Sequence, residues 1–288
     1  MAAGSREIRR RIRSIGNTAQ ITKAMQMVAA SKMRKAQQAA INVRPFAQLL
    51  YRIQRLAATR ATDFTHPLLQ RHEVQRRAIV LVGSDKGLCG ALNSNVFRLA
   101  GRYDPKHTVF IAAGRKAAQF VARTRRTLVA EFPYGDTPRF PEARALAAVA
   151  RNMFLKGDVD EVRIITSRFV NTLTQQAADA PLLPIGDLGL PVPGVEAEAV
   201  LAADTTEFLF EPGPEAVLSY LLGHYLNILV YIVMLNAKAS EQSARMVSMK
   251  SATDSADDMI KELTLAYNKL RQGQITQELL EIAGGQSQ

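Results

Sequence analysis

Apolar and small residues recur at alternating steps of four and three through Ile8, Ile12, Ile15, Ala19, Thr22, Gln26, Ala29, Met33, Ala36, Ala40 and Val43. Such a stripe predicts a long helix with a heptad seam. Its residues are mostly small or weakly apolar, which predicts close helix approach and no strong leucine zipper. Ser5 is a candidate N-cap, with Glu7 in the first turn against the positive helix end. Pro45 should end, kink or locally disturb the helix, because it removes a ladder donor. Apolar spacing resumes at Phe46, Leu49, Leu50, Ile53 and Leu56 and reaches about Arg60.

The far end of the chain has the same character. Pro212, Gly213 and Pro214 form a breaker, and no proline follows. Met249, Ala252, Ala256, Met259, Leu263, Ala266 and Leu270 then step by three and four, predicting a second seam. A helix from residue 215 to 283 would run about 100 Å at ~1.5 Å per residue, so it needs a partner along its length. The N-terminal seam is the candidate, and the two ends would form one antiparallel coiled coil.

The middle follows another period. Ala78–Val82, Thr108–Ala112 and Val162–Ile165 are short apolar runs that read as strands, and Gly90–Gly101, Arg115–Arg123 and Pro138–Phe154 read as helices. Alternation at this spacing predicts βαβ units and a parallel sheet. Leu183 to Val195 is rich in Pro and Gly and reads as a loop; Glu207–Phe210 reads as a last short strand. The expected fold class is therefore α/β plus a long antiparallel coiled coil. The N- and C-terminal helices form a shaft flanking an inserted Rossmann-like parallel-sheet domain, with boundaries at 1–60, 61–212 and 213–288.

Composition narrows the classes. The 288 residues are 47% hydrophobic, enough for a real core and incompatible with collagen-like or wholly disordered chains. One cysteine, Cys89, excludes an intramolecular disulfide framework and a Cys-rich zinc site, and fits a reducing compartment. Tryptophan is absent and 6% of residues are aromatic, which argues against stacking platforms for single-stranded nucleic acid. Of 37 Lys+Arg and 26 Asp+Glu, residues 1–60 hold 13 and one (Glu7), a balance of +12; the remaining 24 bases and 25 acids leave −1. The basic character belongs to one segment, which nucleic acid, an anionic membrane or an acidic protein would each satisfy. Met1 to Ser14 lacks the apolar region of a secretory signal; helical patterning from Glu7 onward argues against a transit peptide.

Catalytic motifs are few. Gly83-Ser84-Asp85-Lys86-Gly87-Leu88-Cys89-Gly90 follows a strand and opens a helix, as a phosphate cradle would. It fits neither the G-x-G-x-x-G nor the G-x-x-x-x-G-K-[ST] pattern, and a tight strand–helix turn explains its glycines. His66, His72, His107 and His224 lack metal-ligand spacing to one another, and no G-x-S-x-G elbow exists. Cys89 reads either as a thiol activated at a helix start or as a small residue in a turn. Asp254, Asp257 and Asp258 read as a solvated helix face. Val217 to Leu235 is nearly uncharged and close to a bilayer span in length, yet Ser219, Gly223, His224 and Asn227 favour burial within protein. Arg6, Arg9, Arg10, Arg11, Arg13, Lys23, Lys32, Arg34 and Lys35 line the first helix. They read as a solvated face, as a nucleic-acid surface without the stronger zipper that basic readers carry, or as an electrostatic surface for an acidic protein.

Longer runs are more specific. Arg6-Glu7-Ile8-Arg9-Arg10-Arg11-Ile12, Ile21-Thr22-Lys23-Ala24-Met25 and Met27 to Gln37 closely resemble the gamma subunit of F-type ATP synthases. So do Ala239-Ser240-Glu241-Gln242, Ala244-Arg245-Met246-Val247, Tyr267-Asn268-Lys269 and Ile275 to Ile282. Ser84 to Asn93, Gly114-Arg115-Lys116 and Phe169-Val170-Asn171-Thr172 match between them, so the resemblance is collinear over essentially the whole chain. It implies a central rotor subunit that hydrolyses nothing itself, holds no cofactor or metal, and transmits torque between a membrane c-subunit ring and the catalytic alpha–beta hexamer. The implied partners are the alpha and beta subunits, the epsilon subunit and the c ring, with no nucleic acid, and with the membrane reached only through the complex. The implied coupling ion is the proton, or sodium as in some relatives. The implied place is the cytoplasmic face of a bacterial inner membrane, as a peripheral protein. Carried over by motif, Lys23, Met25 and Arg245 would lie near beta-subunit loops, and Gln272, Thr276 and Glu278 would hydrogen-bond a beta catch loop higher on the shaft. The chain departs from the family at the apolar run Asn227 to Asn236 and at Gly285-Gln286, and it lacks the redox cysteine pair of chloroplast relatives. A nucleotide-dependent enzyme and a basic coiled-coil nucleic-acid binder are the alternatives from other classes.

Overall fold

The structure, a computed structural model, describes residues 2–60, 65–185, 211 and 213–285. The strand expected at Glu207–Phe210 and most of the Pro/Gly-rich stretch lie outside the described residues. The chain divides into two compact units, one of Met1–Ala29 with Arg245–Gln288 and one of Ala30–Ala244. The division falls inside two long helices, α1 (Ala2–Arg60) and a C-terminal helix (Pro214–Gly285).

Helix α1 overturns one local expectation, the cap, and narrows another, since Pro45 does not end it. It begins at Ala2, so Ser5 lies within it and caps nothing, and no acid occupies its first turn. It also continues through Pro45 to Arg60. Buried Ala40, Ala47 and Leu50 on both sides of the proline explain this: apolar burial offsets a lost ladder bond.

In the first unit the chain ends pair antiparallel. Thr22 Oγ1 and Thr253 Oγ1 share a hydrogen bond of 2.7 Å. Thirteen residues back along the first helix, Arg9 donates to the Tyr267 hydroxyl, fourteen residues forward along the second. Ala19, Ala29, Met249, Thr253 and Ala256 are buried in this seam. The first helix shows the stripe its spacing predicts, but the second is shifted by one residue at three of its seven positions. Thr253, Ile260 and Tyr267 turn inward, while Ala252 is only half-buried and Met259 and Ala266 are exposed. Both sets have seven-residue spacing with Met249, Ala256, Leu263 and Leu270, so period alone does not choose the flank.

The second unit holds a five-stranded sheet in the order β3-β2-β1-β4-β5. Strands β1 (Arg77–Val82), β2 (Thr108–Ala113), β3 (Thr127–Phe132) and β4 (Glu161–Phe169) run parallel; β5 (Gln175–Leu183) pairs antiparallel with β4. Four strands are thus parallel, as the spacing predicts, and the antiparallel edge strand β5 makes the sheet mixed. On one face Ile79, Leu81, Phe110, Ala112 and Ile165 pack with α2 (Leu92–Ala100) and α3 (Arg115–Arg123). On the other, Val80, Val82, Ile111, Val162 and Ile164 meet α4 (Phe140–Leu155) and parts of both long helices. The C-terminal helix, α5 in chain order (Pro214–Gly285), is long and apolar enough between 214 and 277 to cross a bilayer. Its Leu222, Leu226, Val230, Met234 and Leu235 are fully buried in this unit, however. The uncharged stretch is the third layer of an α/β/α core.

Candidate functional site

The residues the motifs single out all fall in the helix pair. Lys23 is exposed and Met25 half-buried on α1; on α5, Arg245 is buried, and Gln272 and Thr276 are exposed. The side chain of Glu278 lies outside the described residues. Taking register from the Thr22–Thr253 bond, Arg245 lies five residues, roughly 8 Å, beyond the level of Met25. Lys23, Met25 and Arg245 are therefore brought to one stretch of the pair. Gln272 and Thr276 stand apart, about 40 Å from Arg245 along α5. Thr276 Oγ1 donates back to the Gln272 carbonyl at 2.9 Å, which fixes the hydroxyl while leaving an oxygen lone pair outward.

Two features escaped the sequence reading. Leu265, Ile275, Leu279 and Leu280 are 71, 48, 60 and 67% exposed. They flank Gln272 and Thr276 on the side of α5 away from the seam, and exposed apolar rows of this kind mark interaction surface. Arg9 also stacks its guanidinium over Tyr267, 5.3 Å from the ring centroid. The remaining N-terminal arginines, Arg6, Arg10, Arg11 and Arg13, are exposed and present a cationic face. A tyrosine at seven-residue spacing within an apolar stripe, opposite an arginine, was the signal available for the Arg9–Tyr267 pair.

The second place to look is the carboxyl edge of the parallel strands, where open α/β sheets take ligands. The loop after β1 is a turn of the bland kind. The Gly83 amide donates to the Ala113 carbonyl (2.8 Å) and the Ser84 amide to Asn93 Oδ1 (3.1 Å), so both are already engaged. Asp85 accepts from the Arg115 amide at 3.0 Å and so caps the start of α3. Gly114 has φ +94°, and a Cβ there would come 2.3 Å from the Gly83 oxygen, which restricts the site to glycine. Cys89 is buried, packed with Leu92 and Ala244. Asn93 Nδ2 lies 3.4 Å from its sulfur.

The chain's own C-terminal helix covers this edge. Lys238, 2% exposed, lies 3.0 Å from Glu241 Oε2 and 5.2 Å from the centroid of Tyr134. The Tyr134 hydroxyl donates to the Gly83 carbonyl at 2.8 Å. Burial, and then the charge of Glu241, push that phenol well above its usual pKa, so it stays a donor. Ser240 Oγ donates to the Ser167 carbonyl (3.3 Å) and Ser243 Oγ to that of Thr172 (2.7 Å). Among the described residues no group of His, Cys, Asp and Glu could hold a metal ion. His66 Nδ1 accepts from the Leu68 amide, His224 packs against Phe46 and Phe140, and Asp258 pairs with Lys261.

Terminal helices paired along a small-residue seam, with a five-stranded α/β unit inserted between them in sequence, define a class of chain made of a helix pair and a sheet unit. Residues 4–287 match the family model described as ATP synthase. The ATP synthase gamma chain of Opitutus terrae is 46% identical, over 99% of this chain and 98% of that one. A mitochondrial ATP synthase central-stalk chain from Tetrahymena thermophila superposes with a TM-score of 0.61 at 26% identity, covering 81% of this chain and 99% of that one. A chain of the Euglena gracilis mitochondrial enzyme has the same fold, with a TM-score of 0.67 at 18% identity, over 100% and 95% of the two chains. The chain belongs to the ATP synthase gamma-chain family. Its function is that of a central-stalk subunit of the ATP synthase complex.

Proposed function

We propose that this chain is the non-catalytic rotor of a proton-translocating ATP synthase at the cytoplasmic face of a bacterial inner membrane. In functional terms residues 1–60 and 213–288 form the axle and 61–212 the foot. The foot binds the c-subunit ring and the epsilon subunit, and the axle stands within the alpha–beta hexamer. Rotation of the ring turns the axle, and its changing face drives each catalytic beta site through its binding states. The observation that carries this reading is the antiparallel pairing of the chain ends through Thr22–Thr253 and Arg9–Tyr267. Two helices bonded across a small-residue seam twist together, where a single helix would flex.

The surface suits a bearing. The exposed arginines of α1 attract acidic loops by a charge interaction that varies little with angle. Lys23 and Met25, with Arg245 beneath them, meet beta-subunit loops. Higher on the axle Gln272, Thr276 and Glu278 hydrogen-bond a beta catch loop. In the assembled complex, Gln272→Ala with Thr276→Ala should lower ATP hydrolysis and synthesis while leaving assembly intact. Rates equal to those of the unaltered complex would refute these contacts.

A further inference from the structure

The apolar stretch of α5 poses a mechanical problem. Tyr225, Leu226, Ile228, Leu229, Val230 and Ile232 are buried around most of the helix circumference. Apolar burial is non-directional, so a helix held in this way resists withdrawal better than rotation about its own axis. Directional anchors appear in the next turn and a half. Lys238 reaches Glu241 and lies over Tyr134, Ser240 bonds the carbonyl of β4 residue Ser167, and Ser243 bonds that of Thr172 and receives Gln175 Nε2 at 3.3 Å. The same β3–α4 connection that supplies Tyr134 also supplies Asp136, whose carboxylate lies 2.6 Å from Lys32 on α1. That hydrogen bond holds the Asp136 carboxyl below its usual pKa.

Resting on the rotor reading above, we propose that these groups form a collar that locks both long helices in rotation to the α/β unit, so that torque applied to the foot enters the axle here. Lys238, Glu241, Ser240, Ser243, Lys32 and Asp136 are its positioning residues. Lys238 and Glu241 are paired on α5 itself, so turning the helix would carry the buried pair away from the Tyr134 ring over which Lys238 lies and lose that cation–π contact. Turning would also break the serine bonds to the Ser167 and Thr172 carbonyls, each of which fixes the helix at one angle. The collar lies immediately before Ala244, the last residue of this unit on α5, and Lys32 lies two residues after Ala30, its first on α1.

The test uses the complete membrane-bound complex containing Ser240→Ala with Ser243→Ala, Glu241→Gln, Asp136→Asn or Asp136→Glu. ATP hydrolysis, protons pumped per ATP against an opposing gradient, and the amount of this chain in the complex are measured together. The collar predicts a severalfold fall in protons pumped per ATP for Ser240→Ala/Ser243→Ala and for Asp136→Asn. Hydrolysis should persist, and Asp136→Glu should retain normal pumping. Asp136 is half exposed, with a side-chain exposure of 52%, so its variants decide the matter even if Glu241→Gln prevents folding. An unchanged pumping ratio in variants that assemble overturns the collar and leaves the rotor reading standing. Absence of the unaltered chain from a complex with alpha and beta subunits overturns the rotor reading itself.

Discussion

The paired chain ends and the α/β unit reach order by opposite means. In the α/β unit, Ile79, Leu81, Phe110, Ile111 and Leu146 are fully buried, in apolar clusters on both faces of one sheet. In the helix pair Ala19, Ala29, Thr253 and Ala256 are buried, with Met249 and Arg245, whereas Met27, Leu265, Leu279 and Leu280 are more than half exposed. The first region hides its large side chains and draws stability from them. The second buries small ones, which lets two backbones approach closely, and offers its large ones outward. A segment that spends its apolar residues on its surface is built to work inside something else.

That contrast can be broken most forcefully in the α/β unit. Leu226→Ala removes a fully buried side chain and should cost about 2–5 kcal/mol, read as a lower denaturation midpoint of the full chain. Gly114→Ala should follow, at about 1–3 kcal/mol or more, because the added methyl meets the Gly83 oxygen. Tyr267→Phe in the helix pair should cost less than about 1 kcal/mol, since it removes one exposed hydrogen bond and keeps the ring beneath Arg9. A larger loss at Tyr267 than at Leu226 would invert the comparison.

How far the chain could be read in advance follows the same division. The α1 stripe was legible because a long seam repeats its signal, and tertiary burial then carried the helix through Pro45. The α5 seam was legible in period but not in flank, because Ala252 and Met259 look more apolar than Thr253 and as apolar as Ile260. Strands β1, β2 and β4 announced themselves as apolar runs. Strand β3 is an edge strand with Thr127, Leu128, Val129 and Glu131 exposed, and β5, Gln175 to Leu183, carries polar residues and Pro181. Edge strands lack the buried alternation that reveals a strand. The family motifs named Lys23 and Met25, which fall on α1, and Arg245, Gln272, Thr276 and Glu278, which fall on α5. The collar was hidden because a buried lysine is invisible in sequence except as the first charge after a long apolar run. Lys238, three residues before Glu241, was that sign.

The most direct trial of the account joins the chain ends covalently. Thr22→Cys with Thr253→Cys replaces two hydroxyls that lie 2.7 Å apart, and the native Cys89 is buried. Under mild oxidation in the assembled complex the account predicts a rapid intramolecular disulfide, with ATP hydrolysis and ATP-driven proton pumping undiminished, because both helices of one axle turn as a body. Failure of the two cysteines to join within one chain, or arrest of turnover once they have joined, would contradict it.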